Sequence, residues 1–492
     1  MKKFLVRALL LAGLLFVLTG ITVWRAMMPP APLQALATTF MLHDVTIINP
    51  GASRAERQSL TVRGGVIHNI TASAAIADRE ALRNYSGMFV LPGLADMHAH
   101  LPPDNPLRLT SYFLLLNLAH GVTSIRDAGD LDGTSIKAQR DATRDGYPGP
   151  RVFACGPFVS AGERKWANTV LLKTPDDAEP VVAKLKVDGF HCIKAYDGLT
   201  LPMVNELRRA ADKHGMKLIG HVPELLSYEQ ALVPDTQHLM GVAAPAATST
   251  IPDHRLPLVR GWGQVDDDRM RAIVAITRQA GIANTPTLVY EQQLLKLEAY
   301  ALSKDSPDAR LLPRLYRDVV WHPDTGIPAY RGMTAEDFAR VRIAHAKKMQ
   351  LVRQLYEAGT PLYLGTDVQQ PFTSPGISLH QEMRLFEKSG VPPAAIWEMA
   401  TSRAARSLGV AQLGSIMSGA PADFLIFRED PSQNLNALET LEAVVAQGRL
   451  YSKADIDAKV AEYRVHYEGI IFDRLSVGLA KAALRRTAAD AH

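Results

Sequence analysis

"VLPGLADMHAHL", residues 90–101, is the stretch that decides the fold. A Pro92-Gly93 turn opens into an apolar run that ends in two histidines one residue apart, His98 and His100. In a β-strand, residues i and i+2 leave on the same face, so both imidazoles point one way from what reads as a buried strand. Two neutral imidazoles side by side, away from bulk water, need a common partner, and a divalent cation suits best. Alone the pattern is weak, because ordinary core and surface histidines also fall at this spacing.

The chain around it strengthens the reading. From residue 90 to about 370, β and α segments alternate, with strands expected at 94–100, 122–127, 151–156, 190–196, 217–222, 235–240, 283–289 and 361–367. Helical stretches such as "LPMVNELRRAADKHG" separate several of them, this one closing on Gly215 as a helix end does. Eight β units with intervening helices predict an α/β fold, a (β/α)8 TIM barrel. Segment 290–350 is long for one connection and is expected to form a lid over the site.

Short strands flank the barrel on both sides. Residues 40–90 alternate β-branched and polar side chains between Asn-Pro-Gly and Gly-Gly turns, and "GSIMSGAPADFLIF" and "LEAVVAQGRLY" resume the pattern near the other end. A small composite β-sandwich built from both chain ends is expected. Between them, "PAAIWEMATSRAARSLG" sets Ile396, Met399, Ala400, Ala404 and Leu408 on one helical face, with Gly409 closing it. The tail from about 455 reads as an amphipathic helix whose Val460, Tyr463, Tyr467, Ile471 and Leu475 dock on the body. The expected division is therefore 1–37 (signal or anchor with linker), 38–89 with 410–452 (β-sandwich), 90–409 (barrel) and 453–492 (helical tail).

Composition narrows the function. The 492 residues are 47% hydrophobic and 21% charged, with a formal net charge of +4. Lys and Arg are scattered, so no basic stripe argues for nucleic acid. The two cysteines, Cys155 and Cys192, exclude a disulfide framework and a thiolate zinc cage. They fall on neighbouring predicted strands, where a bridge is conceivable; parallel neighbours seldom have the geometry, so free buried thiols are expected. Any metal must be held by histidine and carboxylate. At the N-terminus Lys2, Lys3 and Arg7 precede an uncharged, mostly apolar run from Ala8 to Trp24. It is long for a signal-peptide core and short for a membrane span. An Ala-Leu-Ala triplet at 35–37 offers a cleavage site, so an uncleaved anchor and a cleaved signal both stand. The flanking cations predict export of everything after the run, to the periplasm for a Gram-negative source.

Barrel enzymes build their sites at the carboxyl ends of the strands. Lys194 ends the fourth expected strand, His221 the fifth, His238 the sixth and Asp367 the eighth. Most other histidines (His43, His68, His191, His214, His254, His466) lie off these ends and read as ordinary. Lys194 is the odd member, since burial depresses a lysine pKa and leaves a nucleophilic amine. Such an amine can capture carbon dioxide as a carbamate, a bidentate anion able to bridge two metals; the competing reading pairs Lys194 with Asp197. Asp96, two residues before His98, should also face inward and orient a ligand histidine. Arg126 and Asp127 read as a structural pair at the rim. Tyr196 is either an oxyanion donor or packing.

With these residues in view, "VLPGLADMHAHL", the lysine strand, the two single-histidine strands and "LGTDV" resemble the amidohydrolase superfamily, and more narrowly its imidazolonepropionase-like and prolidase-like branch. "GVTSIRDAGD" and the run from "PGISLHQEMRLFEKSG" to "GAPADFLIF" are similar to that branch, so the resemblance spans about residues 40–450. It implies that His98 and His100 bind one metal, that His221 and His238 bind a second, that N6-carboxylated Lys194 bridges them and that Asp367 contacts the first. Lys194 argues for the two-metal, prolidase-like side. Gln237 stands where the family often has Glu, and "SAGERKWAN" lacks the histidine usual after the third strand.

The resulting expectation is a hydrolase of amide-type C–N bonds. Two divalent ions, zinc first with manganese or cobalt as alternatives, would lower the pKa of a bridging water. Asp367 would then serve as general base and acid. A dipeptide or N-acyl amino acid is the expected substrate, with Arg164, Lys165 and Arg126 as candidates for its carboxylate. A cyclic amide hydrolase or heterocycle deaminase is the alternative, and a membrane-tethered, non-catalytic binding protein the third. Homo-oligomerisation is left open.

Overall fold

A computed structural model describes residues 2–73, 82–144, 148–164, 166–243, 256–432 and 434–489. Seven parallel strands neighbour one another in chain order: Leu94–Ala99, Val122–Asp127, Arg151–Ser160, Cys192–Ala195, Lys217–Gly220, Asp235–Gln237 and Ala283–Thr285. The eighth expected strand is an extended run that closes the gap by bridges instead of a ladder. Leu362 pairs with Asn284 on one side and Val368 with Ala99 on the other. Regular pairing fails because the backbone turns left-handed at Asp367 (φ 53°), and Thr366 N and Asp367 N both donate to His98 O at 2.9 and 2.7 Å. Gly365 makes that crossing feasible. A Cβ there would lie 2.7 Å from both His98 Cβ and Thr285 Cγ2, well inside van der Waals contact.

Five strands end sooner than expected, at Ala99, Ala195, Gly220, Gln237 and Thr285. After the last two the chain enters left-handed backbone, at His238 (φ 60°), Leu239 (φ 54°) and Thr287 (φ 53°). Non-glycine residues there cost about 1–3 kcal/mol each and gather at functional sites. The helices around the barrel follow their caps: Ala178–Asp188 and Leu201–His214 stop at left-handed Gly189 and Gly215, and Ala335–Glu357 starts from a Thr334/Asp337 capping box.

The outer strands form one hydrogen-bonded sheet. Its main path runs Arg449–Ser452, Leu441–Ala446, Phe424–Phe427, Phe89–Pro92, Phe40–Asn49, Ser53–Arg63, Val66–Ala72. Side chains from its two halves, among them Phe40, Leu60, Val90, Phe424 and Val445, meet in one core. The helical face predicted after residue 392 is buried as expected, with Ile396, Met399, Ala400, Ala404 and Leu408 all inside and Gly409 left-handed at the end.

Two expectations change. Cys155 and Cys192, expected as free thiols, form a disulfide. They stand directly opposite on adjacent parallel strands, and a register shift just beyond Cys192 brings their Cα atoms to 4.2 Å. The tail is two helices, Lys453–Tyr467 and Ile470–Ala489. The first buries Val460, Tyr463 and Tyr467, but the break before the second resets the helical phase, so Phe472 and Ser476 face inward while Ile471 and Leu475 face out. Segment 290–350 carries its own helices and packs Leu294, Leu312, Tyr316 and Trp321 into the main core, while Tyr330 Oη donates to Gln370 Oε1 at 2.6 Å, three residues past Asp367.

An apolar helix, Lys2–Met27, precedes the body and is long and apolar enough to cross a membrane; a signal sequence passes the same test. The linker after it is strapped down. Met27, Leu33 and Ala35 pack on the core, Tyr463 Oη donates to Pro30 O at 3.4 Å, and Ala37 bridges Leu450 in the sheet.

Candidate metal centre

Four imidazoles stand in a row at the carboxyl end of the barrel. Ring centroids run His100–His98 5.3 Å, His98–His238 4.5 Å and His238–His221 5.2 Å. Asp367 lies across them, with Oδ1 3.4 Å from His98 Nε2 and 3.3 Å from His100 Nε2. Ligand atoms of His98, His238 and Asp367 fall within 4.8 Å of one another.

Each ring is held from behind through Nδ1. The acceptors are Gln237 Oε1 for His98 (2.6 Å), Gly129 O for His100 (3.2 Å), Asp197 Oδ1 for His221 (3.4 Å) and Thr287 Oγ1 for His238 (2.7 Å). A ring donating through Nδ1 keeps Nε2 as a lone pair, the tautomer a metal requires. His98 Nε2 and Lys194 Nζ are buried without a hydrogen-bond partner. A cation ligated here would take up the His98 lone pair, and Lys194 could join it only as a neutral amine or a carbamate. The donor set, imidazole with carboxylate, suits zinc, manganese or cobalt, so the residues fit the metals that the sequence implies.

The amidohydrolase family profile matches residues 89–451. The chain belongs to the amidohydrolase family. Solved structures share its fold. Bottromycin amidohydrolase is 22% identical, with a TM-score of 0.70 over 91% of this chain and 93% of its own. A Xaa-Pro dipeptidase with bound methionine in its active site is 19% identical, with a TM-score of 0.62 over 84% of this chain and all of its own. A prolidase complexed with N-methylphosphonate-L-proline is 17% identical, with a TM-score of 0.62 over 84% and 99%. No curated protein sequence matches significantly. The amidohydrolase is accordingly a hydrolase acting on carbon–nitrogen bonds.

Electrostatics in the amidohydrolase's cluster follow from burial and its few charges. Burial, reinforced by the Lys194 charge, lowers the His98 pKa to about 3. Burial also lowers His221 and takes His238 well below the ordinary value. His100 goes the other way: burial pulls it down, but the hydrogen bond and charge of Asp367 outweigh that. Burial alone would raise Asp367; facing His238, His100 and His98, it is held well below the carboxylate range. Burial brings Lys194 from 10.5 to about 7, against the pull of Asp367. Its amine has no partner, which sets aside the pairing with Asp197.

Several residues take other places than the sequence suggested. Arg126 does not pair with Asp127, because successive side chains leave a strand on opposite faces. Arg126 instead donates to Asp235 Oδ2 at 2.6 Å and to Met97 O at 2.7 Å, while Asp127 accepts from Leu101 N at 2.8 Å. Arg126 is thereby engaged inside the barrel and unavailable to a substrate carboxylate. Asp96 faces inward as expected but holds no ring; it accepts from His98 N (3.1 Å) and Thr366 Oγ1 (2.6 Å), tying the first strand to the closing segment. Arg164 is exposed and donates to Ala167 O at 2.9 Å; Lys165 and His254 lie outside the described residues. The ring of Tyr196 sits 4.4 Å from that of His221.

Residues that sequence reasoning missed are the holders behind the rings. Gln237, noted only as a departure, links His98 to a buried network. Its Nε2 donates to Asp235 Oδ1 at 2.6 Å, and Asp235 in turn takes Arg126. An amide suits this place because it accepts from His98 while donating to Asp235, which a carboxylate cannot do.

Proposed function

We propose that the protein is a two-metal hydrolase of dipeptides or N-acyl amino acids. His98, His100 and Asp367 would hold one ion and His221 and His238 the other, with Lys194, carboxylated on Nζ, shared between them. The single observation behind this reading is the set of four rings locked through Nδ1 around the partnerless amine of Lys194. Divalent ions bound there supply Lewis acidity and a water of low pKa. The chain's own groups do the rest. Asp367 is ionised at working pH, so it can take the proton of the attacking water and hand it to the leaving nitrogen. The Tyr196 phenol, pushed up by burial, stays protonated and can donate to the developing oxyanion.

In this reading residues 90–409 are the catalytic barrel, 38–89 with 410–452 its supporting sheet unit and 453–492 the docked tail. Residues 8–24 anchor the whole on the periplasmic side of a membrane.

Metal analysis of the purified protein, followed by a screen of dipeptides and N-acyl amino acids, tests the proposal. The expected result is two equivalents of metal per chain, cleavage lost on chelation and restored by Zn²⁺, Mn²⁺ or Co²⁺. Cleavage that survives complete metal removal would overturn it, and ammonia as the product would redirect it to deamination.

A further inference from the structure

The imidazole row does not end at its terminal histidines. The Tyr196 ring lies 4.4 Å from His221, the Phe158 ring 4.8 Å from Tyr196, and the same Phe158 ring 6.2 Å from His100. Six rings thus close a circuit: His100, His98, His238, His221, Tyr196 and Phe158. Trp166 lies off this circuit on the solvent side. It stacks on Phe158 at 5.8 Å and 26°. Trp166 is 43% exposed whereas Phe158 is 3% exposed, so one wall runs from open solvent to the histidines.

This wall is built into the fold. Phe158 stands beside Lys194 in the paired strands. Gly129 holds His100 through its carbonyl and, lacking a Cβ, leaves room for Phe158, whose ring would lie 2.5 Å from that atom. The loop bearing Trp166 is tied down by Phe158 N donating to Asn168 O at 3.3 Å and by Asn168 Nδ2 donating to Asp130 O at 2.9 Å. An exposed indole stacked over a buried phenyl leaves apolar area wet, and covering it with another ring is favourable.

We infer that Trp166, Phe158 and Tyr196 form a specificity wall for an aromatic or large aliphatic group flanking the scissile amide. The inference rests on the proposed hydrolysis for its substrate class. Trp166 and Phe158 are then specificity residues, acting on which amide is held and not on the bond cleavage.

The test uses full-length, metal-loaded protein in detergent, with N-acetylphenylalanine and N-acetylglycine as a matched pair. Hydrolysis should favour the aromatic member by about tenfold or more in kcat/KM, and Trp166→Ala should reduce that ratio about tenfold, mainly through KM. A ratio unchanged in both Trp166→Ala and Phe158→Leu, with metal content and circular dichroism preserved, overturns the inference. A binding measurement keeps it separable from the catalytic proposal should neither compound be cleaved. N-acetylphenylalanine should then produce a saturable change in indole fluorescence that Trp166→Phe abolishes, with no such change for N-acetylglycine. An equal response to both compounds, or to neither, counts against the wall.

Discussion

Lys194 is the residue whose environment departs furthest from the ordinary. A lysine whose amine makes no hydrogen bond is costly to bury, and carboxylation would turn that cost into a ligand. Lys194→Ala should lose metal and activity together, with partial recovery on adding a short carboxylic acid; wild-type metal content in this variant would refute the bridging role. Asp367→Asn keeps the shape but removes the proton acceptor and should lower kcat by about 10²–10⁴-fold. At this scale the site was legible where type and period suffice: six polar side chains at the ends of five apolar strands were visible in the sequence. The holders were not, since each pairs across segments. Nothing local tells that Gln237 faces His98 or that Thr287 faces His238, and adjacency misled for Arg126 and Asp127.

Elements were legible through their hydrophobic runs and caps, while their ends were not. Strand propensity carries on through "DTQHLM", but left-handed backbone at His238 stops that strand early and no residue type there announces it; in "ANTPTLV" it is Pro286 that marks the end at Thr285. The closing segment depends on Gly365, and Gly365→Ala should destabilise the barrel by several kcal/mol in urea unfolding, because His98 cannot move without disturbing the site. The Cys155–Cys192 bridge closes a loop of 37 residues, and the Cys155→Ser/Cys192→Ser pair should lose up to about 4 kcal/mol in the chain-entropy account. The helix Ile377–Lys388 packs His380 against His120, whose carbonyl accepts from His380 Nε2 at 2.7 Å. Burial and the nearby His120 charge lower the His380 pKa from 6.5 to about 3. Between those values the unfolded chain takes up a proton that the folded one refuses, so the helix's contribution falls as pH drops through this window. Urea unfolding of His380→Asn should show a shallower loss from pH 6.5 to 4; a slope equal to wild type would count against it.

For the whole molecule, composition favoured an anchor and left a cleaved signal as the alternative. The strapped linker favours the anchor, because the Ala35–Ala37 triplet is part of the folded body and Ala37 is bridged to Leu450. The full chain should therefore stay with membranes after alkaline extraction, and deletion of residues 1–27 should release it. With Met27 through Ala37 fastened to the core, the helix would be a stiff stalk and not a tether. The barrel would stand at a set height and tilt above the lipid, and its entrance would sample a thin layer of solution beside the bilayer instead of sweeping the volume a floppy leader would allow.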